Sequence, residues 1–440
     1  MRTVLRAALL DFVADPTHSA KAVRWVGDGL LVIEDGRIAA HGAYAALAPT
    51  LGPDDRVQDL RGQIVTPGFI DTHLHLPQVD VIASPAPGLL PWLEQHTYPA
   101  EAAFADPAVC EAAARFFLDE LARQGTTSAC VLGSVHAQSV EALFEQALAR
   151  DLRLVAGKCL MDVHAPDNLR DTADGGVQAS ADLAARWHGR GRLGYAVTPR
   201  FAGTSSRRQL ELAGALARAR PDLYIQSHVA ENLDEVRWIA ALYPEARSYL
   251  DVYDRHGLLR ERAIYAHCIH LDAADRVRLA ASGALAAVCP TSNLFLGSGL
   301  FDFRAAQDAG MAVALGTDVG GGQSFSMFSA MRSAHEIARL RGMALSSLQL
   351  WHWATRGAAQ ALGWAGKVGT LAPGAEADLI VLDPAATPLL ARRAAGPFEA
   401  AAVEELLFAL LVLADDRAVR ETYIAGRACK GPPGSRLENA

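Results

Sequence analysis

Pro67-Gly68-Phe69-Ile70-Asp71-Thr72-His73-Leu74-His75 is where the chain changes character. Before it, from Thr3 to about Thr66, the pattern is short and β-like: the apolar run Leu30 to Ile33 leads into Asp35-Gly36, a strong hairpin signal, and then Ile38. That reads as a small antiparallel unit. After it, short apolar strands alternate with Ala- and Leu-rich helical stretches, the pattern of βα units around a parallel sheet. Eight such strands can be counted: Gly68 to Asp71, Thr127 to Val131, Leu152 to Lys158, Leu193 to Thr198, Leu223 to His228, Ala263 to His267, Ala284 to Cys289 and Ala312 to Asp318. Helical patterns between them include Ala108 to Gln124, Ser139 to Arg150, Ser206 to Arg218 and Ala273 to Ala281. Eight βα units predict an α/β fold, a closed TIM-like (β/α)8 barrel. Past a last helix at about Leu348 to Leu362, β texture returns at Ala377 to Leu382 and Glu421 to Ile424. The two termini are therefore expected to pair into one small β-sandwich, residues 1–66 with 369–440, outside a catalytic barrel of 67–368.

The 440 residues are 51% hydrophobic and 20% charged, which suits a folded soluble enzyme and excludes disorder. A net charge of −8 without long runs of either sign gives no attraction for a nucleic-acid backbone or an anionic membrane. The longest apolar run, Leu406 to Ala414, is about half of what spans a bilayer, so no membrane segment is expected. The apolar start of the chain is broken by Asp11 and Asp15 and lacks a cleavage site. The cysteines, at 110, 130, 159, 268, 289 and 429, form no C-x-x-C pair and read as reduced, mostly buried thiols of a cytoplasmic protein.

In a barrel of this kind the active site lies at the C-terminal ends of the strands. His73 and His75 follow the first strand, two apart, so both imidazoles can point one way toward a single ion. Alone, such a pair is commonly two surface or core histidines. His228 ends the fifth strand, His267 the sixth, and Asp318 the eighth, so five ligand-type residues converge on one rim. Nitrogen and carboxylate donors without a cysteine cluster suit zinc or ferrous iron and leave a position for water. Glu231, three residues after His228, stands just above that rim, where a carboxyl can shuttle protons; without the histidine it would read as a solvated first-turn glutamate.

Competing motifs fall away. Deaminases of the H-x-E and P-C-x-x-C type need a cysteine pair that is missing here. His335-Glu336 begins an H-E-x-x-H pattern, but position 339 is Arg339. Gly320-Gly321-Gly322 has no following Lys-Ser/Thr and reads as a tight loop over the site rather than a phosphate cradle. The fourth strand runs out in Val197-Thr198-Pro199-Arg200, and arginine cannot become the carbamylated bridge of a two-metal centre. Of the lysines only Lys158 lies near a strand end, on the third strand, so one metal is expected rather than two.

Pro67-Gly68-Phe69-Ile70-Asp71 with its H-x-H, and the closing Gly369-Thr370-Leu371-Ala372-Pro373-Gly374 with Ala377-Asp378, resemble the amidohydrolase superfamily. The likeness spans nearly the whole chain. Within the superfamily the sequence is similar to the guanine deaminase family, through His73-Leu74-His75-Leu76-Pro77-Gln78, Leu90-Pro91-Trp92-Leu93-Glu94, Val197-Thr198-Pro199-Arg200-Phe201 and the stretch from Cys289 to Gly299. Gly316 to Gly322 and Asp415-Asp416-Arg417 match as well. The resemblance implies hydrolysis of guanine to xanthine and ammonia, with one zinc per chain (ferrous iron as the other choice) on His73, His75, His228 and Asp318. It implies that His267 and Glu231 are catalytic beside Asp318, and that Gln78, Trp92, Arg200 and Phe201, with His228 and Glu231, form the purine pocket. Arg200 would donate to the purine O6, Gln78 would read another ring edge, and Phe201 and Trp92 would stack. A homodimer is implied too. Two departures stand out: Gly203 replaces a common proline, and Gln323 a usual threonine. The rival readings are an aminohydrolase for another heterocycle, such as 8-oxoguanine, cytosine or a triazine, and a barrel that serves only as a scaffold.

Overall fold

Four strands precede the first βα unit: β1 (Arg2–Phe12), β2 (Val23–Glu34), β3 (Arg37–Ala43) and β4 (Val57–Pro67). The structure, a computed structural model, describes residues 2–19, 21–394 and 400–430. The β2–β3 hairpin turns at Asp35 and Gly36, whose φ angles of +48° and +79° are the left-handed pair that a two-residue turn needs. β1 pairs antiparallel with β2 but parallel with β4, so the unit is mixed rather than antiparallel throughout.

The apolar runs after Pro67 become β5 (Phe69–His75), β6 (Thr126–Leu132), β7 (Arg153–Gly157), β8 (Cys159–Leu160), β9 (Leu193–Pro199), β10 (Tyr224–Val229), β11 (Ala263–His267), β12 (Leu285–Val288) and β13 (Ala312–Leu315). β8 is a two-residue continuation of β7 that pairs with β9, and every pairing in this series is parallel. Every residue of β5, β6, β9 and β10 is buried, as expected of strands covered on both faces. The barrel closes between its first and last strands. The Asp318 amide donates to the His73 carbonyl at 2.8 Å and the His75 amide to that of Val319 at 2.7 Å.

Inside the barrel, Ile70, Val155, Tyr224, Ile264 and Leu285 pack with Leu362 and Trp364 into a filled lower core. The helices outside start on side-chain caps, among them Asp106, Thr172, Ser206, Asn232 and Ser326, each accepting a first-turn amide. The single helix expected at about Leu348 to Leu362 is instead two, Ser347–Trp353 and Arg356–Ala361. The Ala354 carbonyl is taken by the Ile70 amide at 2.9 Å, a bond from β5 that removes it from the helical ladder.

β14 (Leu379–Leu382) pairs antiparallel with β4, and β15 (Val419–Ile424) and β16 (Arg427–Ala428) follow it. Both termini thus share one seven-stranded sheet, with a core of its own that includes Leu5, Leu9, Leu31, Ile38, Leu371 and Val381. The apolar run at Leu406 lies in the helix Val403–Leu413; among the described residues no helix is long and apolar enough to cross a membrane. All six cysteines are unpaired, and five are buried.

Candidate active site

β5 ends in the H-x-H, and its alternation carries Asp71, His73 and His75 on one side of the strand. Asp71 is fully buried and accepts bonds from the Thr317 amide at 3.0 Å and the His73 amide at 3.3 Å, fastening the first strand to the loop that holds Asp318. Burial pushes the Asp71 carboxyl up to about 6 despite those bonds.

His73, His75, His228 and Asp318 come together at the rim, all buried. His75 Nε2 lies 3.2 Å from His73 Nε2 and 3.1 Å from His228 Nε2. Asp318 Oδ1 is 3.3 Å from His73 Nε2 and 3.4 Å from His75 Nε2. Burial, first of all, lowers the pKa of each of the three histidines, to about 4 for His75, so they are neutral at pH 7. His228 Nδ1 donates to the Arg200 carbonyl at 2.6 Å, which leaves its Nε2 a bare lone pair facing the others. Burial alone would raise Asp318, but the His73 and His75 imidazoles beside it outweigh that and hold the carboxylate well below the usual range.

Facing nitrogen lone pairs repel unless a cation lies between them. Two imidazole nitrogens each about 2 Å from one tetrahedral ion stand about 3.3 Å apart, close to the spacing found here. The donor set therefore fits a divalent ion. A second grouping, His73, His267, Cys289 and Asp318, fits less well, because burial pushes the Cys289 thiol far up and it donates to the Ala287 carbonyl instead.

Glu231 is buried at the top of β10, with Oε2 3.4 Å from His267 Nε2 and Oε1 accepting from Ser298 Oγ at 3.0 Å. Burial, then the charge of Asp318, raises its pKa to about 8, so it holds a proton at neutral pH. His267 Nδ1 donates to Asn293 Oδ1 at 2.9 Å, which turns Nε2 toward Glu231 and Asp318. The backbone here is forced: Ala230, His267 and Asp318 have φ of +51°, +69° and +52°, conformations that cost non-glycine residues about 1–3 kcal/mol each.

One cavity joins these groups. His75, Gln78, Trp92, Arg200, Phe201, His228, Glu231, His267 and Asp318 all line it, together with Glu235 and the leucines 89, 90, 93 and 296. Of the site residues expected from the sequence only His73 stands behind the wall. Phe201 meets Trp238 edge to face, with centroids 5.7 Å apart, and Gly203 makes room for both: a Cβ there would fall 2.4 Å from the Phe201 ring. The second departure is remote, since Gln323 is exposed and not in the lining. The triple glycine does form a tight loop over the site; a Cβ on Gly322 would lie 1.8 Å from the Thr317 carbonyl. Lys158 is ion-paired with Asp171 and also donates to the Cys159 carbonyl, so it is occupied, and it does not line the cavity.

Several residues in this constellation escaped the sequence reading. Asp71 shares the parity of the histidines and was legible on that ground. Asn293 and Ser298 sit in the polar stretch after the seventh strand. Glu101 offers no local signal: it is a glutamate on the short helix Tyr98–Ala102, yet it is fully buried against Arg200.

A parallel barrel with three neutral imidazoles and a carboxylate at its carboxyl rim, and a protonated glutamic acid above them, is the arrangement of a metal-dependent hydrolase. The chain belongs to the amidohydrolase family, whose model matches residues 64–429. It is 41% identical over 415 residues to the guanine deaminase of Escherichia coli strain K12, covering 94% of each chain. The solved structure of E. coli guanine deaminase superimposes with a TM-score of 0.92 at 39% identity, covering 97% of this chain and 98% of that one. Guanine deaminase from C. acetobutylicum, solved with bound guanine in the active site, gives a TM-score of 0.85 at 25% identity over 97% of this chain and 100% of that one.

Proposed function

We propose that this enzyme hydrolyses guanine to xanthine and ammonia, with one zinc ion per chain held by His73, His75, His228 and Asp318. The observation that carries the reading is the shared cavity, in which the converging donor set, protonated Glu231 and the Arg200–Gln78 edge face one another. The named relatives support guanine as the base. When bound, a divalent ion lowers the pKa of a water it contacts to about 7.

The residues divide the remaining work. Arg200 donates to the purine O6, an acceptor that adenine lacks, and Gln78 reads an adjacent ring edge. Phe201 and Trp92 pack against the ring, Trp92 fixed by its Nε1 donating to the Ser84 carbonyl at 3.1 Å. Glu231, which already holds a proton, gives it to ring nitrogen N3 and makes C2 electrophilic. His267, turned by Asn293, orients the attacking water, and Asp318 accepts a proton from it. The new C–O bond makes C2 tetrahedral; a proton returned to the amino group lets the C–N bond break with loss of ammonia, and the remaining hydroxyl proton leaves as the C2 carbonyl of xanthine forms, restoring the proton that Glu231 gave to N3.

The test is an ammonia-release screen of the metal-loaded protein across guanine, adenine, 8-oxoguanine, cytosine and a triazine. Guanine is expected to give the highest kcat/KM, with xanthine accumulating one for one with ammonia. Preference for another base would replace the substrate assignment, and no release from any base would favour a scaffold.

A further inference from the structure

Glu101 is fully buried beside the cavity, and the mechanism above leaves it without a task. It does not line the cavity but stands behind its two polar walls. Arg200 Nη1 donates to both Glu101 oxygens at 2.6 Å. Gln78 Nε2 donates to Glu101 Oε1 at 3.0 Å, and Gln78 Oε1 accepts from the Gly320 amide at 3.2 Å. Ser134 Oγ holds the Glu101 carbonyl at 3.1 Å, and the Arg200 guanidinium lies 5.8 Å from the centroid of the Tyr98 ring.

Two consequences follow from chemistry alone. Arg200 spends one terminal nitrogen on Glu101, so the remaining N–H groups of its fork are the ones left for a ligand, and their direction is fixed by the carboxylate. Gln78 cannot flip, because a flipped amide would set its oxygen against the carboxylate and its NH2 against the Gly320 N–H. It keeps one N–H and one lone pair to offer. The pair is also close to electrically neutral: Arg200 and Glu101 are 2% and 0% exposed, so the cation is answered inside the wall rather than by solvent or ligand.

We propose that Glu101 is a positioning residue that aims Arg200 and Gln78 and neutralises Arg200, so that the cavity takes neutral purines and rejects anionic ones. This rests on reading the cavity as a purine site. Without Glu101, Arg200 would be a buried cation with no partner, and an anionic base would supply the missing counter-charge. With Glu101 in place, such a base loses its hydration and gains little.

The experiment compares wild type with Glu101→Gln in the metal-loaded full chain, measuring kcat and KM for guanine and the inhibition constant of urate, a purine that is anionic at neutral pH. KM is expected to rise at least about tenfold with kcat within about threefold, and urate inhibition to tighten about tenfold, since one charge-assisted arrangement is exchanged for another. In the double variant with Arg200→Ala the tightening of urate should vanish, because Glu101 acts through that guanidinium. Unchanged KM and urate inhibition in E101Q would overturn the proposal, as would urate tightening that persists without Arg200. Should E101Q not accumulate folded, Glu101→Asp decides: it keeps the charge but retracts it, so KM rises while urate inhibition stays at the wild-type value, and a normal KM overturns the proposal. Wild type that fails to deaminate guanine would instead overturn the purine reading itself, a result independent of either variant.

Discussion

At the lower end of the barrel Arg153 Nη2 reaches Glu376 at 2.6 and 2.7 Å, and Arg192 Nη1 reaches Glu376 at 2.7 Å and both Asp378 oxygens at 2.9 Å. At the upper rim, three imidazole nitrogens crowd within 3.1–3.2 Å of their neighbours, the bare Nε2 of His228 among them, and a glutamic acid keeps its proton. Both regions are rich in ionisable groups, the upper one buried and the lower one partly so, with Arg192 and Glu376 half-buried. In the lower one the cations answer the anions, and the result is a clamp between the barrel and the terminal sheet. In the upper one valence is left unmet, and that is where a metal and a substrate can be bound. Burial of charge marks neither stability nor function by itself; whether each group is already satisfied decides which.

Substitutions at the two ends should separate these roles. Glu231→Gln should leave the metal bound and lower turnover at least about a hundredfold, because an amide cannot transfer the proton. Near-normal turnover with full metal content would assign the acid elsewhere. Arg200→Ala should cost about 2–4 kcal/mol in kcat/KM for guanine, and clearly less for 2-aminopurine, which has no O6. Because it also strands Glu101, the comparison is made on folded, metal-loaded protein, and an equal loss on both bases would refute the O6 contact. Asn293→Ala should reduce kcat about tenfold, since losing the partner that turns His267 acts at one remove from the reacting atoms. A kcat within about twofold of wild type would show that His267 keeps its orientation without that bond.

At the lower end the expectation is reversed. Arg192→Ala leaves Asp378 without its cation and Glu376 with only Arg153, so unfolding free energy should fall by about 3–5 kcal/mol, as when other buried pairs are broken. Turnover of the folded fraction should change less than about twofold. A denaturation midpoint equal to wild type, or a selective loss of kcat, would erase the distinction between the two ends.

The barrel was legible because its strands are continuous apolar runs bounded by loops, and the observed strands begin and end within a few residues of those runs. The histidines and Asp318 were legible because strand ends put them on one rim. What stayed hidden depends on contacts distant in sequence. Glu101 lies 99 positions from Arg200, and nothing near it says that it is buried. The break in the last helix comes from β5 capturing the Ala354 carbonyl, and the parallel partnership of β1 with β4 follows from how the connection crosses, which a period-two pattern does not encode. Left-handed backbone at His267 and Asp318 contradicts local preference, as strained functional positions do.

The most direct test of the rim as a one-metal guanine-hydrolysing centre is to strip the protein of metal and titrate zinc back while recording ammonia release from guanine. Activity is expected to rise in proportion to zinc and to level off at one ion per chain. A break at two ions per chain, or a fully loaded protein that releases no ammonia from guanine, would contradict it.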